Sequence, residues 1–275
     1  MRLYISADIE GVAAVVSREH TRPGGFEYEA ARDWMTRSVL AVCETAHEQG
    51  VRDIVVSDSH GNGQNLKPDA LPDYVELVRS WPRPLGMMQG IECGRFDGAI
   101  LLGYHGAGSN PHGVLSHTLS SEFFQEVRLN GVEASEATIS AAIAGAFDVP
   151  VLMVAGDDVA VAEMQAALGD VASAVLKHAY GTYSAVGPSP RVAEARLRQA
   201  TLEGLAKVGS LAPYKLAGPV ELQIRVRTRF VAEWLSYLDD VERLDAYTIR
   251  RVLPDTLSLS KFLMFVIFAR MATAP

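Results

Sequence analysis

Cysteine is scarce: the 275-residue chain has two, Cys43 and Cys93, too few for a disulfide framework. Cys43 sits in helix-patterned sequence and reads as a small buried apolar residue. No Lys- or Arg-rich run occurs and the formal net charge is −8, which argues against nucleic acid as a partner. No apolar run reaches the roughly 20 residues of a membrane span. The most apolar stretch, FLMFVIFARMATA at 262–274, meets Arg270 and reads as a buried C-terminal helix. Internal repeats and low-complexity tracts are lacking, and Met1-Arg2 leads into a strand-like run without a signal-peptide pattern. The expectation is a soluble, cytoplasmic protein with no membrane partner.

What is present is ordinary globular material, 48% hydrophobic and 21% charged, in a chain long enough to bury a substantial core. Its order is informative. LYISADI at 3–9 reads as a strand, and Ala31, Trp34, Met35, Val39, Val42, Cys43 and Ala46 recur at helical spacing between Tyr28 and Gln49 before Gly50. VRDIVVSD at 51–58 is a second strand, DYVELVRS at 73–80 a third between prolines, and DGAILLGYH at 97–105 a strand apolar enough to be buried on both faces. Asn130-Gly131 between apolar residues signals a two-residue hairpin. An alanine-rich helix at 137–147 and a buried strand at 149–157 follow. Helices at 161–170 and 190–208 flank a strand at 171–179. Alternating strands and helices imply an α/β fold: a mostly parallel central sheet with helices on both faces. The cleanly alternating PVELQIRVRT at 219–228 is a half-exposed, antiparallel strand. With DAYTIRRVL it forms a smaller second α+β lobe. The chain reads as one domain, 1–275, or as two lobes of about 1–160 and about 161–275.

Polar residues gather where strands end: Asp8 and Glu10, then Asp58 and His60, then His105. Ligands of open parallel sheets bind outside the carboxyl ends of the strands. Glu136 opens the helix after the hairpin. Asp8, Glu10, His60, His105 and Glu136 make a mixed nitrogen and oxygen set, too many for one open catalytic zinc but suited to two metals if one carboxylate bridges. Zinc fits best, with manganese or cobalt as alternatives. Strand alternation would point Asp8 and Glu10 the same way. Asp58 reads as a group orienting His60. In the glycine-rich GYHGAGSNPHGVLSHTLS, His112 and His117 are both candidates for acid–base work. Each residue also has a plain reading. Strand-end acids are often turn residues, Glu136 could be a first-turn acid, and Asp157 or Asp158 a helix cap. His20, His47 and His178 read as structural or solvated. Convergence at three strand ends is what lifts the set above those readings.

SADIEG, VSDSHG, LLGYHG, LSHT and VPVLMVAGDD, in that order, resemble the D-aminopeptidases of peptidase family M55. The resemblance covers roughly the first 160 residues and continues more loosely through LKHAYGTYSAVGPSP. It implies two zinc ions per chain, with Asp8 bridging, Glu10 and His105 completing one metal, and His60 and Glu136 the other. It implies His117 as the catalytic histidine, either general base or nucleophile. Glu133 is nearby, but Glu136 keeps the family's spacing to VPVLMVAGDD. The implied activity removes N-terminal residues, D-amino acids such as D-Ala, from short-peptide substrates. The implied assembly is a ring-like homo-oligomer, a decamer. Another dinuclear hydrolase, an amidase or phosphoesterase, and a non-catalytic peptide binder are the alternatives.

Overall fold

The computed structural model describes residues 1–268. In chain order the first half runs β1 (Arg2–Ala7), α1 (Tyr28–Glu48), β2 (Asp53–Asp58), β3 (Val75–Val78), β4 (Gly98–Tyr104), β5 (Phe124–Leu129), β6 (Val132–Glu133), α2 (Glu136–Ala146), β7 (Val151–Asp157) and α3 (Asp158–Leu168). There follow β8 (Ala172–Gly181), β9 (Ser184–Val186), α4 (Pro190–Leu205), β10 (Val220–Val226), α5 (Arg229–Leu235), β11 (Val241–Arg243), β12 (Thr248–Leu253) and α6 (Thr256–Phe268).

Two sheets form. The larger has the order β3-β2-β1-β4-β7-β8-β9, parallel throughout except for the final antiparallel β8–β9 hairpin. Its central strands β4 and β7 are buried at every residue, which is why they read as unbroken apolar runs. Alternation along β1 sends Leu3 and Ile5 to one face and Tyr4 to the other. The first face joins a core with α1 and α4, through residues such as Val39, Val42 and Leu197. The second face joins a core with α2, α6 and the smaller sheet. Each fully buried Leu or Ile contributes about 1.5–3 kcal/mol to holding these layers.

The smaller sheet is antiparallel, order β11-β12-β10-β5-β6. Val220, Leu222, Ile224 and Val226 of β10 face inward, while Glu221, Gln223 and Arg225 are partly or fully exposed, as the alternation predicts. Asn130 and Gly131 both take positive φ, +49° and +80°, and turn β5 into β6, the conformation a two-residue hairpin requires. The chain thus leaves the larger sheet after β4, builds an edge of the smaller one, and returns through α2 to β7. The expected C-terminal helix begins earlier, at Thr256, and positions 269–274 of that stretch lie outside the described residues. Among the described residues no helix is long and apolar enough to cross a membrane.

Candidate metal centre

Parallel register sets Ala7 level with both Asp58 and Leu102. The loops after β1, β2 and β4 therefore leave the sheet at one height, at its carboxyl end. Strand alternation does not bring Asp8 and Glu10 together as expected, because β1 ends at Ala7. Main-chain docking against β4 does so instead. The Asp8 N–H donates to the Leu102 carbonyl at 2.8 Å and the Gly11 N–H to the Gly103 carbonyl at 2.7 Å. This approach needs glycine on both sides: a Cβ on Gly11 would lie 2.0 Å from the Tyr104 oxygen, and one on Gly103, at φ +75°, 2.1 Å from the Asp8 oxygen. The register of β4 against β7 also shifts between Leu102 and Tyr104, a bulge of the kind that re-aims side chains beside sites.

The five expected ligands and His117 meet there in two groups. Asp8, Glu10 and His60 form one, and His105, His117 and Glu136 the other. His60 Nδ1 lies 2.8 Å from Glu10 Oε2 and 3.4 Å from Asp8 Oδ1. His105 Nε2 lies 3.5 Å from Asp8 Oδ2 and 3.4 Å from Glu136 Oε2. The two Asp8 oxygens therefore face different groups. The side chains group differently from the expected pairing: Glu10 stands with His60, and His105 with Glu136. The physical reason is strand order. Glu10 and His60 follow adjacent β1 and β2, whereas Glu136 enters from α2, which packs on β4 ahead of His105.

Each histidine spends one ring nitrogen on a main-chain carbonyl. His60 Nε2 reaches Thr21 O at 2.6 Å, His105 Nδ1 reaches Gly106 O at 3.0 Å, and His117 Nδ1 reaches Leu115 O at 2.9 Å. Those bonds fix the tautomer and aim the other nitrogen into the site, the arrangement of metal-ligating imidazoles. Asp8 Oδ2 and His105 Nε2 are buried without a hydrogen-bond partner, a cost that coordination would remove. The charge balance points the same way. Burial, with Glu10 beside it, raises Asp8 to about 7 despite His60. Burial alone would keep His105 neutral, yet Glu136 and Asp8 outweigh it and raise the ring to about 10. His60 is likewise raised against its burial by Glu10 and Asp8. Three buried carboxylates thus create a field that draws in positive charge, and the donor set fits two divalent ions.

His117 differs from the buried residues around it. Its ring stacks on His105, centroids 4.3 Å apart, but its side chain is 20% exposed against 0% for His105. Its Nε2 lies 3.5 Å from Glu136 Oε1. Glu136 is held in turn by the Leu119 N–H at 2.7 Å. Ser135 caps α2 by accepting from the Thr138 N–H, which sets Glu136 in the first turn.

Supporting groups include several that sequence reasoning passed over. Asp58 does not touch the His60 ring; it accepts from the Asn65 N–H (2.6 Å), Asn65 Nδ2 (2.7 Å) and the Leu66 N–H (2.8 Å). Asn65 Nδ2 also donates to the His60 carbonyl at 2.7 Å, so Asp58 orients the loop rather than the imidazole. Beneath the site Ser6 Oγ joins Ser59 Oγ at 2.8 Å and the Tyr104 hydroxyl at 2.7 Å. Lys177, fully buried on β8, donates to the carbonyls of Glu10, Val12 and Val15. Burial lowers its pKa to about 8, against the pull of Asp157. Its sequence signal is a lysine inside an otherwise apolar strand.

The remaining candidates fall elsewhere. His112 is exposed at a turn, and Glu133 sits exposed on β6 with the Ser109 hydroxyl. Asp157 caps α3 through the Ala160 N–H at 2.7 Å. His20 is held by Val16 and Glu27, His47 stacks on Tyr74, and His178 meets Asp158. Both ligand groups open into one cavity of about 630 Å³, walled on one side by Trp81, Met87, Met264 and Phe268.

The sequence model of the M55 peptidases, described as D-aminopeptidase, matches residues 1–265. The D-aminopeptidase of Bacillus subtilis (strain 168) is 30% identical over 242 residues, 88% of this chain and 87% of its own length. A solved structure, a Zn-dependent D-aminopeptidase DppA from Bacillus subtilis described as a self-compartmentalizing protease, superposes with a TM-score of 0.91 at 27% identity. That likeness covers 100% of this chain and 99% of the other.

Proposed function

The chain belongs to the M55 family of D-aminopeptidases, and from that premise we propose that it is a zinc-dependent aminopeptidase releasing N-terminal D-residues such as D-Ala from short peptides. The observation that carries the reading is the pair of ligand groups joined through Asp8, each imidazole aimed by a carbonyl, at the floor of one cavity. Asp8, Glu10 and His60 would hold one ion, and Asp8, His105 and Glu136 the other. When bound, two zinc ions supply Lewis acidity for the scissile carbonyl and attraction for the free amine.

The chain's own residues do the rest. His117 keeps a proton on Nδ1 for the Leu115 carbonyl, leaving Nε2 as the basic nitrogen. Being part-exposed beside Glu136, that nitrogen can accept a proton from the attacking water and return it to the departing amine. The apolar wall excludes water and packs the small side chains of the substrate. The chain acts as one catalytic domain, since the cavity is lined by residues from Asp8 to Phe268.

Assembly into a ring-like homo-oligomer, a decamer, is part of the proposal. Its support is the apolar surface on and after α5, where Phe230 and Tyr237 are 72% and 71% exposed beside half-exposed Trp234. A cytoplasmic location rests on the two free cysteines. Zinc-loaded protein should release D-Ala from D-Ala-D-Ala and stop when a chelator is added. A zinc-replete preparation that cleaves no aminoacyl amide or dipeptide contradicts the reading.

A further inference from the structure

The cavity over the ligand groups is lined by both signs of charge: Asp8, Glu10, Glu136 and Glu122, and Arg18, Arg22 and Arg227. In a chain of net charge −8, cations gathered beside the ligand carboxylates call for a reason. The three come from two segments of the chain. Arg18 and Arg22 flank Thr21, whose carbonyl holds the His60 ring, and Arg22 is already paired with Glu19. Arg227 stands on the His117 side: its main-chain N–H donates to the Phe123 carbonyl at 2.8 Å, tying it to the segment that carries His117 and Leu119. Its guanidinium has no hydrogen bond or ion pair among the described residues. An anchored backbone thus presents an unspent planar donor group to the cavity, the geometry that suits a carboxylate.

We propose that Arg227 binds the C-terminal carboxylate of the substrate, so that the site reads both ends of a short zwitterionic peptide. The free amine goes to the ligand carboxylates and the scissile carbonyl lies beside His117. The departing residue then runs along the His117 wall toward Arg227. The assignment rests on the aminopeptidase reading and deepens it: the substrate class becomes di- and tripeptides with a free C-terminus, rather than amides or internal segments of longer chains. Arg227 acts here as a specificity-determining residue, contributing to binding and not to proton transfer.

The test is steady-state kinetics of the zinc-loaded, full-length protein on D-Ala-D-Ala and on D-Ala-D-Ala amide, which keeps the free amine and lacks the carboxylate. Wild type should show a KM about tenfold lower for the free acid, the difference expected of one charge-assisted contact. Arg227→Ala should raise the free-acid KM about tenfold, change kcat by less than about twofold, and leave the amide's KM unmoved. Arg227→Lys should recover part of the preference, and Arg18→Ala should leave it intact. Equal effects of Arg227→Ala on both substrates would overturn the assignment. So would a wild type indifferent to the carboxylate, or loss of the preference in Arg18→Ala alone. Cleavage of neither substrate by the wild type would instead overturn the aminopeptidase reading, and this assignment with it.

Discussion

The two ligand groups reach the same cavity by different routes. Asp8, Glu10 and His60 follow neighbouring parallel strands whose register matches residue for residue, so their convergence is local to one sheet edge. His105 and Glu136 are separated by an excursion through β5 and β6, and Glu136 is placed by the capped first turn of α2 packed on β4. Asp8 belongs to both, one oxygen turned to each. The contrast separates ligation by adjacent strands from ligation that depends on how the two sheets assemble.

The largest expected effect tests the shared residue. Asp8→Ala should remove both metals by elemental analysis and lower kcat/KM by more than about 10³-fold. Glu10→Ala and Glu136→Ala should each spare one ion. In metal-soaked crystals the surviving density should lie with His105 in Glu10→Ala and with His60 in Glu136→Ala. A smaller effect separates His117 from the ligands around it. His117→Ala should cut kcat by about 10²–10⁴-fold at unchanged metal content, whereas loss of a metal would make it a ligand. The smallest concerns support: Asp58→Ala leaves the buried N–H donors of Asn65 and Leu66 without their acceptor. It should cost about 3 kcal/mol, or about 6–12 °C in melting temperature. A larger loss of zinc from the His60 side than from the His105 side in that variant would show that the loop positions one group alone.

The same contrast explains what could be read in the sequence. The parallel sheet was legible because β4 and β7 are buried on both faces and show unbroken apolar runs, and β10 because half-burial leaves a period of two. Asp8, Glu10, His60 and His105 stood out because they end strands, a position with a physical meaning in parallel sheets. How they pair did not stand out, because pairing follows strand order and helix docking, which no local pattern records. The i, i+2 spacing of Asp8 and Glu10 was informative for a reason other than alternation, since both lie past the end of β1 and are held by the Gly11–Gly103 contact. Lys177 and Arg227 were missed because one is defined by carbonyls that only the fold brings together, and the other by the cavity it lines.

The most direct test is a crystal of the zinc-loaded protein measured at the zinc absorption edge. Two anomalous peaks per chain are expected, one among Asp8, Glu10 and His60 and one among Asp8, His105 and Glu136, with His117 coordinated to neither. A single peak, or two peaks that do not share Asp8, would contradict the account.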